Sequence, residues 1–100
     1  MEYVSIVRAK LKGADPSVAQ KAHDATVEQL SAMTRPMGAT GHRAYLNPKN
    51  QMEFLAIDRW NNFEGLQKFM GDPKVAQAFG NLFEGQPDIT IWSESDWASF

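Results

Sequence analysis

Cysteine is absent from the chain, which removes disulfides, thiolate nucleophiles and thiolate metal sites together. Charge of one sign is scarce too: 10 basic residues against 12 acidic ones leave a net charge of -2. The densest basic run is the spaced Arg8, Lys10 and Lys12. Nucleic acids are held through concentrated positive charge, so no nucleic-acid partner is expected. No apolar run approaches the roughly 20 residues of a membrane span. The opening MEYVSIVRAKLK lacks the basic start and long apolar core of a secretory leader. A cytoplasmic protein without a membrane partner is the expectation. No His, Asp and Glu group recurs at ligand spacing, so no metal site is expected either. Gly38-Ala39-Thr40-Gly41 precedes a strand instead of opening a helix, which is the wrong setting for a phosphate loop.

Apolar surface is what the chain has in excess. Of 100 residues, 43% are hydrophobic and 11% aromatic, more than one small sheet-and-helix layer comfortably hides. Residues 1–100 read as a single domain that sheds this surface by self-association.

Tyr3 to Lys12 alternates as a strand, with Val4 and Ile6 on one side and Tyr3, Ser5, Val7, Ala9 and Leu11 on the other. Apolar residues on both sides predict a strand covered on two faces. Asp15 and Pro16 are an N-cap and a first helical residue, and Ala19, Ala22, Thr26, Val27, Leu30 and Met33 form one helical stripe with His23 at its border. The helix from Pro16 to about Met33 is expected to stop at Arg35-Pro36, because a residue before proline avoids helical angles. Strands from Ala39 to Asn47 and from about Met52 to Trp60 flank the polar turn Asn47-Pro48-Lys49-Asn50-Gln51, predicting an antiparallel hairpin. Asn61-Asn62-Phe63-Glu64 is a capping-box variant opening a short helix to about Met70. Gly71-Asp72-Pro73 breaks it and starts another helix, to about Phe83. Gly85 and Pro87 then lead to a last strand, Asp88 to about Ser95, with Ile89 and Ile91 opposite Thr90 and Trp92.

This βαββαβ order is that of an α+β, ferredoxin-like four-stranded antiparallel sheet with helices on one face. Its bare face is expected to be covered by a second copy. The runs Phe54–Trp60, Asn61–Leu66 and Phe69–Ala76, a strand ending in Trp, a short helix closed by Gly-Asp-Pro and a helix opening with Val-Ala, resemble the antibiotic biosynthesis monooxygenase superfamily. The resemblance implies a dimeric α/β barrel, hence a homodimer, with one pocket per subunit between sheet and helices. The superfamily's activities include cofactor-free oxygenation of polycyclic phenols, haem degradation, lactone isomerisation and polyketide cyclisation. The haem-degrading branch is the least similar: its haem-ligating His falls on Val75–Phe79 here, and its first-strand Asn on Val4–Val7. No cofactor is expected.

The only histidines are His23 and His42, so imidazole chemistry near neutral pH rests on them. If Leu46 pairs near Met52, His42 lies opposite Ala56 and diagonal to Asp58. A carboxylate beside an imidazole orients the ring and favours its charged form, which is how a general base is held. The structural alternative is a hydrogen-bonded pair at a sheet edge. His23, at the inner border of the first helix, either projects into the gap between helix and sheet or is a partly buried histidine held by one backbone or side-chain partner. Catalytic candidates are therefore His42, Asp58 and His23. Trp60, Phe63, Phe69, Phe79, Phe83 and Trp92 would line a cavity for a planar ring compound, or form plain core. Arg59 shares a face with Leu55 and Ile57, away from Asp58, and Asn61 and Asn62 are explained by capping. Trp97 and Phe100 are expected to dock on the partner subunit. The expected function is cofactor-independent, monooxygenase-like chemistry on a small aromatic or polyketide-like molecule. The alternatives are a non-catalytic dimeric binding or scaffold protein, and an isomerase or cyclase on the same fold.

Overall fold

A computed structural model describes all residues, 1–100. The chain runs β1 (Tyr3–Leu11), α1 (Pro16–Thr34), a 3-10 turn (Arg35–Met37), β2 (Ala39–Asn47), β3 (Asn50–Trp60), α2 (Phe63–Met70), α3 (Pro73–Leu82) and β4 (Phe83–Ser93). The four strands form one antiparallel sheet in the order β2-β3-β1-β4. The architecture is α+β and ferredoxin-like.

Side-chain alternation and register set the two faces. Val7 lies between Ala56 and Ile89, and Ser5 between Asp58 and Ile91, so these residues share the helix side. Val4, Ile6, Leu55, Ile57 and Trp92 fall on the opposite side by the same pairing.

The helices start where side chains supply acceptors for free amides. Asp15 accepts from the Ser17 amide at 2.9 Å, Asn62 from Gly65 at 3.1 Å and Asp72 from Lys74 at 2.8 Å. The end of α1 differs from expectation. Arg35 keeps helical angles (φ -57, ψ -47) before Pro36, and its amide still donates to Ser31. The chain tightens into a 3-10 turn, and Gly38 makes the stop at φ 111. A side chain at Gly65 would meet the Met37 carbonyl oxygen at 1.9 Å, so glycine is what lets α2 press onto this turn.

Two strand boundaries also move. Asn47 pairs with Asn50, which leaves Pro48-Lys49 as a two-residue turn and starts β3 before Met52. Helix α3 passes directly into β4 at Phe83 instead of ending in a loop before Asp88. Register changes from Arg8 opposite Asp88 to Lys10 opposite Glu84. Gly85 (φ 74), Gln86 and Pro87 are thus a bulge within β4, where left-handed glycine and a proline without N–H are both accommodated.

Two apolar clusters hold the layers together. One joins Val7, Leu11, Ala19, Phe54, Ala56, Leu82 and Phe83. The other joins Trp60, Leu66, Phe69 and Val75, with Leu30 and Met33 of α1 against it. Helix α1 therefore meets the core near both ends. Between them, Ala22 is exposed and His23, Thr26 and Val27 are only half-buried.

Candidate functional site

The middle of α1 stands over a cavity of about 540 Å³ whose floor is the inner face of β1 and β3. Volume of this size suits a small organic molecule. Val7, Phe54, Ala56 and Trp60 form the floor; Phe69, Phe79, Leu82 and Phe83 close the α2–α3 side; His23, Thr26, Val27 and Leu30 form the roof. Small and β-branched side chains on α1 are too short to fill the space between helix and sheet. A hollow of about 670 Å³ at the hairpin end, bordered by Arg8, Lys10, Glu53 and Asp88, is a more open surface depression without a histidine.

One wall of the inner cavity is polar. His42 on β2 pairs directly with Asp58 on β3, not with Ala56: the two-residue turn and the irregularity at Leu46/Asn47 advance the register past the expected one. His42 Nδ1 lies 2.5 Å from Asp58 Oδ1. The other carboxylate oxygen, Oδ2, accepts from the Ser5 hydroxyl at 3.4 Å. Asp58 is anchored from β1 on one side and orients the imidazole on the other. His42 Nε2 then meets His23 Nε2 at 3.0 Å, and His23 Nδ1 meets Asp24 Oδ1 at 3.0 Å. His23 also packs against Phe54, with ring centroids 5.4 Å apart. Two of the three α1 hydroxyls that line the cavity are already used, since Thr26 donates to the Ala22 carbonyl and Ser31 to that of Glu28.

Trp60 is 2% exposed, and its indole Nε1 is a buried donor with no acceptor in the protein. Buried N–H groups are nearly always paired, and this one is an exception. Arg35 borders the cavity without a carboxylate partner.

Of the residues singled out from sequence, His23, His42, Asp58, Trp60, Phe69, Phe79 and Phe83 meet around this one space. Phe63 does not: it is the first residue of α2, 40% exposed, with its ring 5.2 Å from Tyr3. Trp92 does not either: strand parity puts it beside Val4 on the uncovered face, where its indole donates to Thr90 at 2.8 Å. Arg59 also lies on that face and pairs with Glu2 at 2.9 Å. Asn62 caps α2, and the Asn61 amide donates to the Gly38 carbonyl at 2.9 Å. Phe54 and Arg35 were missed. Parity with Ala56, Asp58 and Trp60 marks Phe54, whereas no local signal marks Arg35.

No family model matches the chain, and no curated protein matches it by sequence. The fold is nonetheless that of a known class of small α+β proteins. A variant of SnoaB, a cofactor-independent oxygenase from Streptomyces nogalater, superposes with a TM-score of 0.72 at 15% identity, over 96% of this chain and 95% of that one. An antibiotic biosynthesis monooxygenase superposes at 0.69 with 13% identity, over 95% and 99%. A conserved protein from Methanosarcina mazei Go1 superposes at 0.70 with 10% identity, over 95% and 94%. The architecture is thus shared with antibiotic biosynthesis monooxygenases, and at these identities the likeness is one of fold.

Proposed function

We propose that the protein is a member of the antibiotic biosynthesis monooxygenase superfamily that oxidises a small aromatic or polyketide-like substrate without a cofactor. The observation that carries this reading is the Asp58–His42 pair, 2.5 Å apart, in the wall of an aromatic-lined cavity of about 540 Å³. An oriented imidazole accepts a proton from an activated C–H or phenolic O–H. The rings of the floor and the α2–α3 side give the carbanion that results an apolar setting. In such a reaction an activated CH2 and O2 give a carbonyl and water, the electrons passing from the carbanion to oxygen. A scaffold with a filled core is disfavoured by the cavity itself.

The working unit in this proposal is a homodimer closed sheet to sheet. In the single chain only 14 of 100 residues are buried, few for its apolar content. Val4, Ile6, Leu55 and Ile57 lie on the sheet face that no helix covers, with Trp92 56% exposed beside them. Trp97 and Phe100 are almost fully exposed in a tail without regular structure, and docking on the partner is the role proposed for them.

The test is oxygen uptake against a panel of anthrones and hydroquinones. Wild type is expected to consume oxygen, and His42→Ala to lose on the order of 10²–10⁴-fold in rate. Turnover without oxygen uptake would mean an isomerase or cyclase. Ligand binding without turnover would mean a binding protein.

A further inference from the structure

The His23–His42 contact permits only one arrangement of protons. Carboxylates accept and do not donate, so the Nδ1 atoms facing Asp58 at 2.5 Å and Asp24 at 3.0 Å both carry hydrogen. The two Nε2 atoms face each other at 3.0 Å. Two N–H groups cannot point at one another at that distance, and two lone pairs would repel. One proton between them makes a good hydrogen bond. The pair is therefore satisfied with three protons on its four ring nitrogens, carrying one positive charge between two carboxylates. Two protons leave a lone pair facing either a lone pair or a carboxylate, and four bring two N–H groups head-on. The ionisable groups around the pair are Asp24 on α1, Asp58 on β3 and, bordering the same cavity, Arg35.

We propose that His23 and His42 are a single proton-sharing acid–base unit, which holds a substrate proton transiently and relays it to the reduced oxygen while each ring stays anchored to its own carboxylate through Nδ1. The sharing follows from the geometry alone; the use of the proton rests on the enzyme reading above. The Asp58 side chain is 18% exposed and that of Asp24 is 62% exposed. A proton accepted at His42 Nε2 pushes the shared proton wholly onto His23. The resulting fourth proton returns from His42 Nε2 to the reduced oxygen, completing the water, and the pair returns to three with both Nδ1–H groups kept. His23 acts through His42 and is a positioning and relay residue.

The test uses the full chain with ¹⁵N-labelled histidine, followed by NMR between about pH 5 and 8. A plateau is expected over which the four ring nitrogens hold three protons, with both Nδ1 atoms protonated and the vacancy averaged over the two Nε2 atoms. In His23→Gln the averaging at His42 Nε2 should disappear, while His42 Nδ1 stays protonated toward Asp58. Should that variant fail to fold, the wild-type plateau decides. Two rings titrating independently, with His42 unaffected by His23→Gln, would overturn the proposal. So would stoichiometric uptake of Zn2+ displacing the shared proton, since converging imidazoles backed by carboxylates also suit a metal. With a substrate in hand, His23→Gln should lower kcat about tenfold or more, with KM retained and one limb of the pH–rate profile lost. An unchanged profile would remove the relay. A plateau without turnover of any panel compound would uphold the sharing while the oxygenase reading fell.

Discussion

Helices α2 and α3 press onto the sheet at one end of the molecule, whereas α1 spans it like a beam supported near its two ends. The difference lies in side-chain size. Leu66, Phe69 and Val75 are buried against Trp60, and Gly65 allows contact closer than any side chain would. Along the middle of α1, Ala22, His23, Thr26 and Val27 leave room beneath them. Packing supplies stability at the ends, and its local lack beneath the middle of α1 makes a binding space, bounded by the polar wall. The lesson is that an unfilled interior in so small a domain is tolerable because the apolar clusters on either side of it are densely packed.

Truncation should expose this contrast most strongly. Leu66→Ala, at a fully buried position, is expected to cost about 2–5 kcal/mol in chemical denaturation. Val27→Ala, over the cavity, should cost only about 1 kcal/mol, because half-exposed methyl groups forfeit less on removal. Equal costs would mean that the space is closed in solution. A second contrast sets the helix-covered face against the bare one. Ile57→Lys should weaken the proposed dimer by about 30-fold or more in sedimentation equilibrium, as expected for a central contact, while leaving the cavity intact. Next comes Asn62→Ala, which removes the cap that starts the tightly packed helices and should cost about 1 kcal/mol.

The smallest effect concerns the start of α1. Hydrogen bonds from the Ser17 hydroxyl and amide hold the Asp15 carboxyl below its ordinary range, with the Val18 amide adding to them against slight desolvation. A carboxyl whose value is lowered on folding contributes stability in full above its unfolded value, and loses it as the pH falls through the folded one. Thermal midpoints should thus be insensitive to this cap near neutrality and decline below about pH 4. Asp15→Asn should flatten that part of the decline.

Much of the fold was legible from local chemistry. Asp15-Pro16, Asn62 and Asp72-Pro73 announce helix starts because capping needs only neighbours in the chain. Alternation along Tyr3–Leu11 and Phe54–Trp60 assigned faces correctly, including that of Arg59. Errors arose where distant parts of the chain set the outcome. Gly85 and Pro87 read as a helix stop followed by a turn, but pairing with β1 draws them into the sheet as a bulge. Phe63 and Trp92 were grouped with the cavity on aromatic character alone. Helix phase at Phe63 and strand parity at Trp92 turn them away from it.

The amino-acid sequence by itself determined the order of elements, their caps and the alternation of faces, since these depend on backbone preferences and side chains a few residues apart. Tertiary structure alone decided that His42 faces Asp58 and not Ala56, that His23 arrives from α1 to meet it, and that space remains beneath that helix. Hairpin register and helix stand-off are set by packing between residues far apart in the chain, and no local pattern encodes them.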